Sequence, residues 1–96
     1  MKIRYTATAL AETNDILAHI AEDNSSAAVS VGAAIKTATA RLSSFPRMGT
    51  ETEDAGVYMK IARPYDYLIF YSVVGSAVLI HNVRHPARQR PSNGRS

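Results

Sequence analysis

Ninety-six residues make one small domain, and a chain this short buries a smaller share of its surface than a longer one, so its stability margin is thin and a partner is well placed to complete it. The absence of cysteine excludes a disulfide framework, a thiolate metal cage and a cysteine nucleophile, and it fits a reducing compartment. No run approaches the ~20 apolar residues of a membrane span and "MKIRYTATAL" lacks the long apolar segment of a secretory signal, so a soluble, cytoplasmic protein is expected. The net charge of +3 is uneven: residues 1–56 hold five Lys/Arg against seven Asp/Glu, residues 57–96 six against one. Such an asymmetry suits an acidic partner, nucleic acid or protein, although a basic end also serves solubility.

"KIRYTA", residues 2–7, alternates polar and apolar side chains with Ile3 and Tyr5 on one side, which predicts a half-buried strand. Thr8 is then placed to cap a helix whose inner positions Leu10, Thr13, Leu17 and Ile20, with Ile16 alongside, recur at helical spacing up to about Asp23. "DNSS" is a turn-and-cap signal. After it Ala28, Val31, Ile35, Ala38, Leu42 and Phe45 step by threes and fours, the clearest periodicity in the chain. Such narrow stripes fit two antiparallel helices joined by a short loop and lying on a sheet.

"FPRMGTETEDAG", residues 45–56, has turn composition and no periodicity, and reads as an irregular surface loop. Three strand-like runs succeed it, "VYMKIAR" (57–63), "YLIFYSVV" (67–74) and "AVLIHNVR" (77–84), rich in β-branched and aromatic residues. Gly75-Ser76 is a two-residue hairpin loop with glycine where a type II′ turn needs it. Uninterrupted pairing from that loop sets Val74 against Ala77, Tyr71 against Ile80, Phe70 against His81, Leu68 against Val83 and Tyr67 against Arg84. One face then carries Tyr67, Ile69, Tyr71, Val73, Val78, Ile80, Asn82 and Arg84, the other Leu68, Phe70, Ser72, Val74, Ala77, Leu79, His81 and Val83. Both are largely apolar, yet two helices cover only one face of a single sheet. The other has to meet the C-terminal tail, a partner or a second copy.

The expected architecture is α+β, β-α-α-β-β-β, with a two-helix hairpin on one face of a mainly antiparallel four-stranded sheet. Residues 1–90 form the domain and 91–96 a flexible C-terminal tail.

Histidine titrates near neutral pH and serves as acid, base or ligand. His19 is expected to be a solvated or partly packed residue on helix one, and His81 a packed residue among Phe70, Leu79 and Val83. His81 and His85 are four apart on a strand, about 13 Å, too far to share one ion, and with no cysteine or nearby acid no metal site is expected. His85 stands next to Arg84 and three residues before Arg88; neighbouring guanidinium charges disfavour imidazolium, which would leave a neutral base beside phosphate-holding arginines. Ribonuclease chemistry needs such parts, a base for the 2′-OH, an acid for the leaving oxygen and cations for the phosphorane, and Lys60, Arg63, Tyr65 or Tyr67 are the candidates to complete the set. The same residues also suit a surface that grips phosphate or an acidic peptide without cutting. No glycine-rich phosphate loop or serine elbow appears, and Glu51, Glu53 and Asp54 read as a solvated turn.

The order strand, helix, helix and three-stranded meander, with Phe45-Pro46-Arg47-Met48-Gly49 after helix two, the alternation Tyr67, Ile69, Tyr71, Val73, and the ending Val83, His85, Arg88, resembles the RelE/ParE superfamily of bacterial toxins over nearly the whole chain. The resemblance implies a toxin of a type II toxin–antitoxin pair, neutralised by a cognate antitoxin whose C-terminal segment wraps around it. It also implies that Tyr67, Ile69 and Tyr71 lie under the helices, leaving Leu68, Phe70, Leu79 and His81 on the open side as the antitoxin-binding surface. RelE-like members cleave mRNA on the ribosome with a cationic set on the open face and near the C-terminus; ParE-like members poison DNA gyrase without it. Here Met59, Ile61 and Leu68 occupy the positions where the ribonucleases carry cations, so the resemblance is to the ParE branch. On that reading no residue is catalytic, no cofactor is needed, DNA gyrase is the target and Arg84, His85, Arg88 and Arg90 face it. The alternative is a ribosome-dependent mRNA endonuclease acting through His85, Arg84 and Arg88.

Overall fold

A computed structural model describes residues 1–87 of the chain. Its elements are β1 (Lys2–Tyr5), α1 (Ala7–Asp23), α2 (Ser25–Ser44), β2 (Thr50–Glu51), β3 (Tyr58–Ala62), β4 (Tyr67–Val74) and β5 (Ala77–Arg84). The sheet runs β1-β5-β4-β3-β2, with β1 parallel to β5 and the other pairs antiparallel. The α+β architecture and the two-helix hairpin are as expected, but the sheet has five strands rather than four. β2 lies inside the segment expected to be irregular. Two residues are too short to show alternation, and only pairing with Met59 and Tyr58 makes them a strand. The turn after it closes on Thr52, whose hydroxyl accepts from Asp54 N at 3.2 Å and donates to Val57 O at 2.9 Å.

The first helix starts earlier than the sequence suggested. Thr6, not Thr8, is its cap: the Thr6 hydroxyl accepts from Ala9 N at 3.0 Å and donates to His81 O at 3.1 Å, while Thr6 N donates to Ile80 O at 3.0 Å. One threonine thus ends the strand, caps the helix and holds both to β5. Within α1 only Ala9 is fully buried and Leu10 is half exposed, so the inner stripe runs through Ala9, Ile16 and Ile20 with Leu17 toward α2, and not through Leu10. The helices share a single linking residue, Asn24, whose N–H bonds Ile20 O and whose side chain accepts from Ala27 N. Along α2 the expected stripe is buried at Val31, Ile35, Ala38 and Leu42; Phe45, expected to extend it, is 60% exposed because the chain leaves the helix there.

The β4–β5 hairpin turns at Gly75, with φ +59°, a left-handed value that glycine reaches without strain. From Val74↔Ala77 to Tyr71↔Ile80 the register is as expected; a bulge at His81 then shifts it to Phe70↔Asn82, Ile69↔Val83 and Leu68↔Arg84. The extra residue reverses the faces beyond it. Val83, expected on the open face, is 1% exposed in the core, and Arg84, expected under the helices, stands opposite Leu68. Tyr67, Ile69, Tyr71, Val78, Ile80 and Val83 pack against Val31, Ile35, Ala38 and Leu42. Among the described residues no helix is long and apolar enough to cross a membrane.

Candidate functional site

β5 outruns its neighbour. β1 stops at Tyr5, opposite Ile80, so the outer edge of residues 81–84 would present unpaired backbone groups. The side chains of α1 cover it instead. Glu12 accepts from Val83 N at 2.9 Å and from Asn82 Nδ2 at 3.3 Å, and its second oxygen lies 3.2 Å from Arg84 Nε. Sequence reasoning passed over Glu12. The available signal was its place on the inner stripe, three residues after Ala9 and four before Ile16, where an acid needs a partner. Its effect is to fix the base of the basic C-terminal segment while leaving the Arg84 side chain 45% exposed.

Beyond Arg84 the chain turns over His85. The Ala87 amide donates to His85 Nδ1 at 3.0 Å; since an amide N–H only donates, Nδ1 holds its lone pair there and Nε2 carries the proton of the neutral ring. In that tautomer Nε2 is a hydrogen-bond donor. The ring meets Tyr67 edge-on, with centroids 5.3 Å apart, and the two line a cavity of about 210 Å³ with Asp15, Ile16, His19 and Ile20. His19, expected as a solvated or partly packed residue on helix one, lines the same cavity as His85. His81 does not: its Nε2 is 2.7 Å from Ser72 Oγ on the open face.

Of the candidates for a nuclease set, Tyr67 alone meets His85. Lys60 is opposite Ile69 on the helix-covered face and, with Arg63 and Arg41, lines a different cavity beneath α2. Tyr65 is exposed in the turn before β4, and Arg63 there pairs with Asp66 at 2.9 Å. Arg88, Arg90 and the expected tail 91–96 lie outside the described residues.

The open face gathers Leu68, Phe70, Leu79 and His81 with Met59 and Ile61, all half-buried, through the pairs Met59↔Phe70, Ile61↔Leu68 and Ser72↔Leu79. Arg84 opposite Leu68 and Arg4 opposite Leu79 rim this apolar centre.

The "FPRMG" segment is explained by Tyr71. Its hydroxyl donates to Pro46 O at 2.8 Å and accepts from Gly49 N at 2.9 Å, and its ring stacks on Tyr58 with centroids 5.6 Å apart. A Cβ on Gly49 would stand 2.5 Å from that hydroxyl and 2.9 Å from Met59 O, so the position needs glycine for space. Burial pushes the Tyr71 phenol above its ordinary value of 10.0, the Gly49 N–H opposes this, and the neighbouring Tyr58 adds a little to the rise.

No curated protein sequence matches the chain. The profile of a family described as "ParE toxin of type II toxin-antitoxin system, parDE" matches residues 3–90, nearly all of it. The chain belongs to the ParE toxin family. A solved structure titled "Chromosomal ParDE TA system from P. aeruginosa" shares the fold with a TM-score of 0.77; it is 18% identical and the superposition covers 88% of this chain and 95% of that one.

Proposed function

We propose that this ParE-type toxin acts in the bacterial cytoplasm by binding DNA gyrase through protein–protein contact, without itself catalysing a reaction. The target-facing surface is the basic end of β5 and the segment after it, comprising Arg84, His85, Arg88 and Arg90. A cognate antitoxin neutralises it by laying its C-terminal segment over Leu68, Phe70, Leu79 and His81. One observation carries the choice of gripping over cutting: Lys60 and Arg63, the cations that could join His85 in a cleaving set, line a separate cavity beside α2, while His85 shares its own with Tyr67 and His19. Phosphorane stabilisation requires donors converging within hydrogen-bond distance of one phosphate, and with Lys60 and Arg63 elsewhere only Arg84 and Arg88 stand beside His85 in the sequence. The capped Nδ1 of His85 and the apolar Met59, Ile61 and Leu68 support the same reading.

Purified toxin tested on gyrase supercoiling, beside mRNA cleavage in a translating extract, decides the matter. Inhibition of supercoiling with intact mRNA is expected; untouched supercoiling at high excess together with cut mRNA would overturn it. Toxicity should fall modestly with His85→Ala and vanish when Arg84 and Arg88 are both changed to Glu. Loss from His85→Ala alone, in a protein that still folds and binds antitoxin, would point to catalysis.

A further inference from the structure

β3 presents Tyr58, Lys60 and Ala62 to the helices, through the pairs with Tyr71, Ile69 and Tyr67. Apolar residues belong at all three places, because the face is covered by α2. Lys60 breaks the pattern: it is half-buried at the rim of that face, with the exposed Thr37, Arg41 and Arg63 beside it, where an anion gains from the gathered cations. Among the described residues it has no ion pair or side-chain hydrogen bond, and neither has Arg41 in the last turn of α2. The negative end of the helix accounts for Arg41, but not for Lys60. Beside Lys60, α2 turns the small residues Ala34, Thr37 and Ala38, and the space they leave is a cavity of about 230 Å³ completed by Arg41, Ile61 and Arg63. Asp66 neutralises Arg63, whose guanidinium keeps further N–H donors, so the cavity wall holds two uncompensated cations, one compensated guanidinium and a hydroxyl.

The geometry points to a binding site for the phosphate group of a small solute, inorganic phosphate or a nucleotide, formed by Arg41, Lys60, Arg63 and Thr37. Two guanidinium forks and an ammonium are the donors that a tetrahedral oxyanion takes in charge-assisted hydrogen bonds. The missing bulk at Ala34 and Ala38 gives such an ion room beside the sheet. The site is independent of the surface proposed for the target, since it lies under the opposite helix.

The full-length 15N-labelled toxin is titrated with inorganic phosphate, with ATP, with a short DNA duplex and with sodium chloride at matched ionic strength. Saturable amide shifts clustered at Thr37, Arg41, Lys60 and Arg63 are expected with phosphate and absent with chloride, and binding should weaken at least tenfold in Arg41→Gln/Lys60→Gln. ATP bound at least tenfold more tightly through the same residues identifies a nucleotide phosphate; equal affinity identifies the free ion. If the double variant does not fold, Arg63→Gln at its exposed position serves in its place and should weaken binding at least threefold. Shifts that fail to saturate, that track ionic strength, that persist undiminished in the folded variant, or that arise only with duplex DNA overturn the proposal.

Discussion

Replacing Tyr71 by Phe deletes one oxygen atom and, with it, the link between the "FPRMG" segment and the core. The hydroxyl holds the Pro46 carbonyl at 2.8 Å and the Gly49 amide at 2.9 Å. Each neutral bond contributes about 1 kcal/mol net, and the vacated partners are half-buried, so the substitution costs about 2 kcal/mol. For a domain of this size about 4–8 °C of melting temperature accompanies each kcal/mol, giving a fall of roughly 8–16 °C. Gly49→Ala in the native background forces a Cβ to within 2.5 Å of the same hydroxyl, an overpacking expected to cost about 1–3 kcal/mol. In the Tyr71→Phe background the nearest oxygen is gone, so the glycine substitution should cost less there than alone. Urea unfolding followed by circular dichroism on the two single variants and the double variant reads both the magnitude and the coupling. A loss below about 0.5 kcal/mol for Tyr71→Phe, or strictly additive costs, would refute the clamp, because that result is expected only of groups already satisfied by water.

Glu12→Ala should cost about 1–2 kcal/mol, chiefly through the orphaned Val83 N–H, since the half-exposed pair with Arg84 is worth little; faster hydrogen exchange at Val83 than at Ile80 is the local signature. Leu79→Glu should leave the melting temperature within about 3 °C and weaken antitoxin binding at least tenfold by calorimetry, because it places a charge in the middle of the open apolar face. Alkaline titration should expose Tyr71. Its folded pKa lies above the unfolded 10.0, so the native state holds the proton more tightly, the associated stability is complete below pH 10 and is lost as pH rises through the folded value; the descent should be shallower in Tyr71→Phe.

Much of the fold was legible because it rests on local patterns. The three- and four-residue steps from Val31 to Leu42 announce a helix with one buried stripe, and Gly75-Ser76 announces a hairpin and its initial register. Legibility failed where a residue's role depends on something distant in sequence. Thr6 caps the helix instead of Thr8 because β5 reaches it, through His81 O and Ile80 O. His81 has no register partner on β4 because a bulge intervenes, and a bulge leaves no mark on hydrophobic alternation when both faces are apolar.

The candidate site divides along the same line. Residue types alone marked the basic segment from Arg84 onward and the apolar Met59, Ile61 and Leu68, since charge and hydropathy are properties of the residues themselves, while the superfamily resemblance rested on the order of elements and motifs such as Phe45-Pro46-Arg47-Met48-Gly49. Which of those residues share a space was decided only by packing. His85 meets Tyr67 and shares a cavity with His19 because α1 packs against β5, and Lys60 parts from His85 because one strand position places it toward α2. Val83 and Arg84 exchange faces for one inserted residue: side chains alternate with a period of two, so a single extra residue turns inside to outside, and that residue is placed by the contacts of a whole sheet.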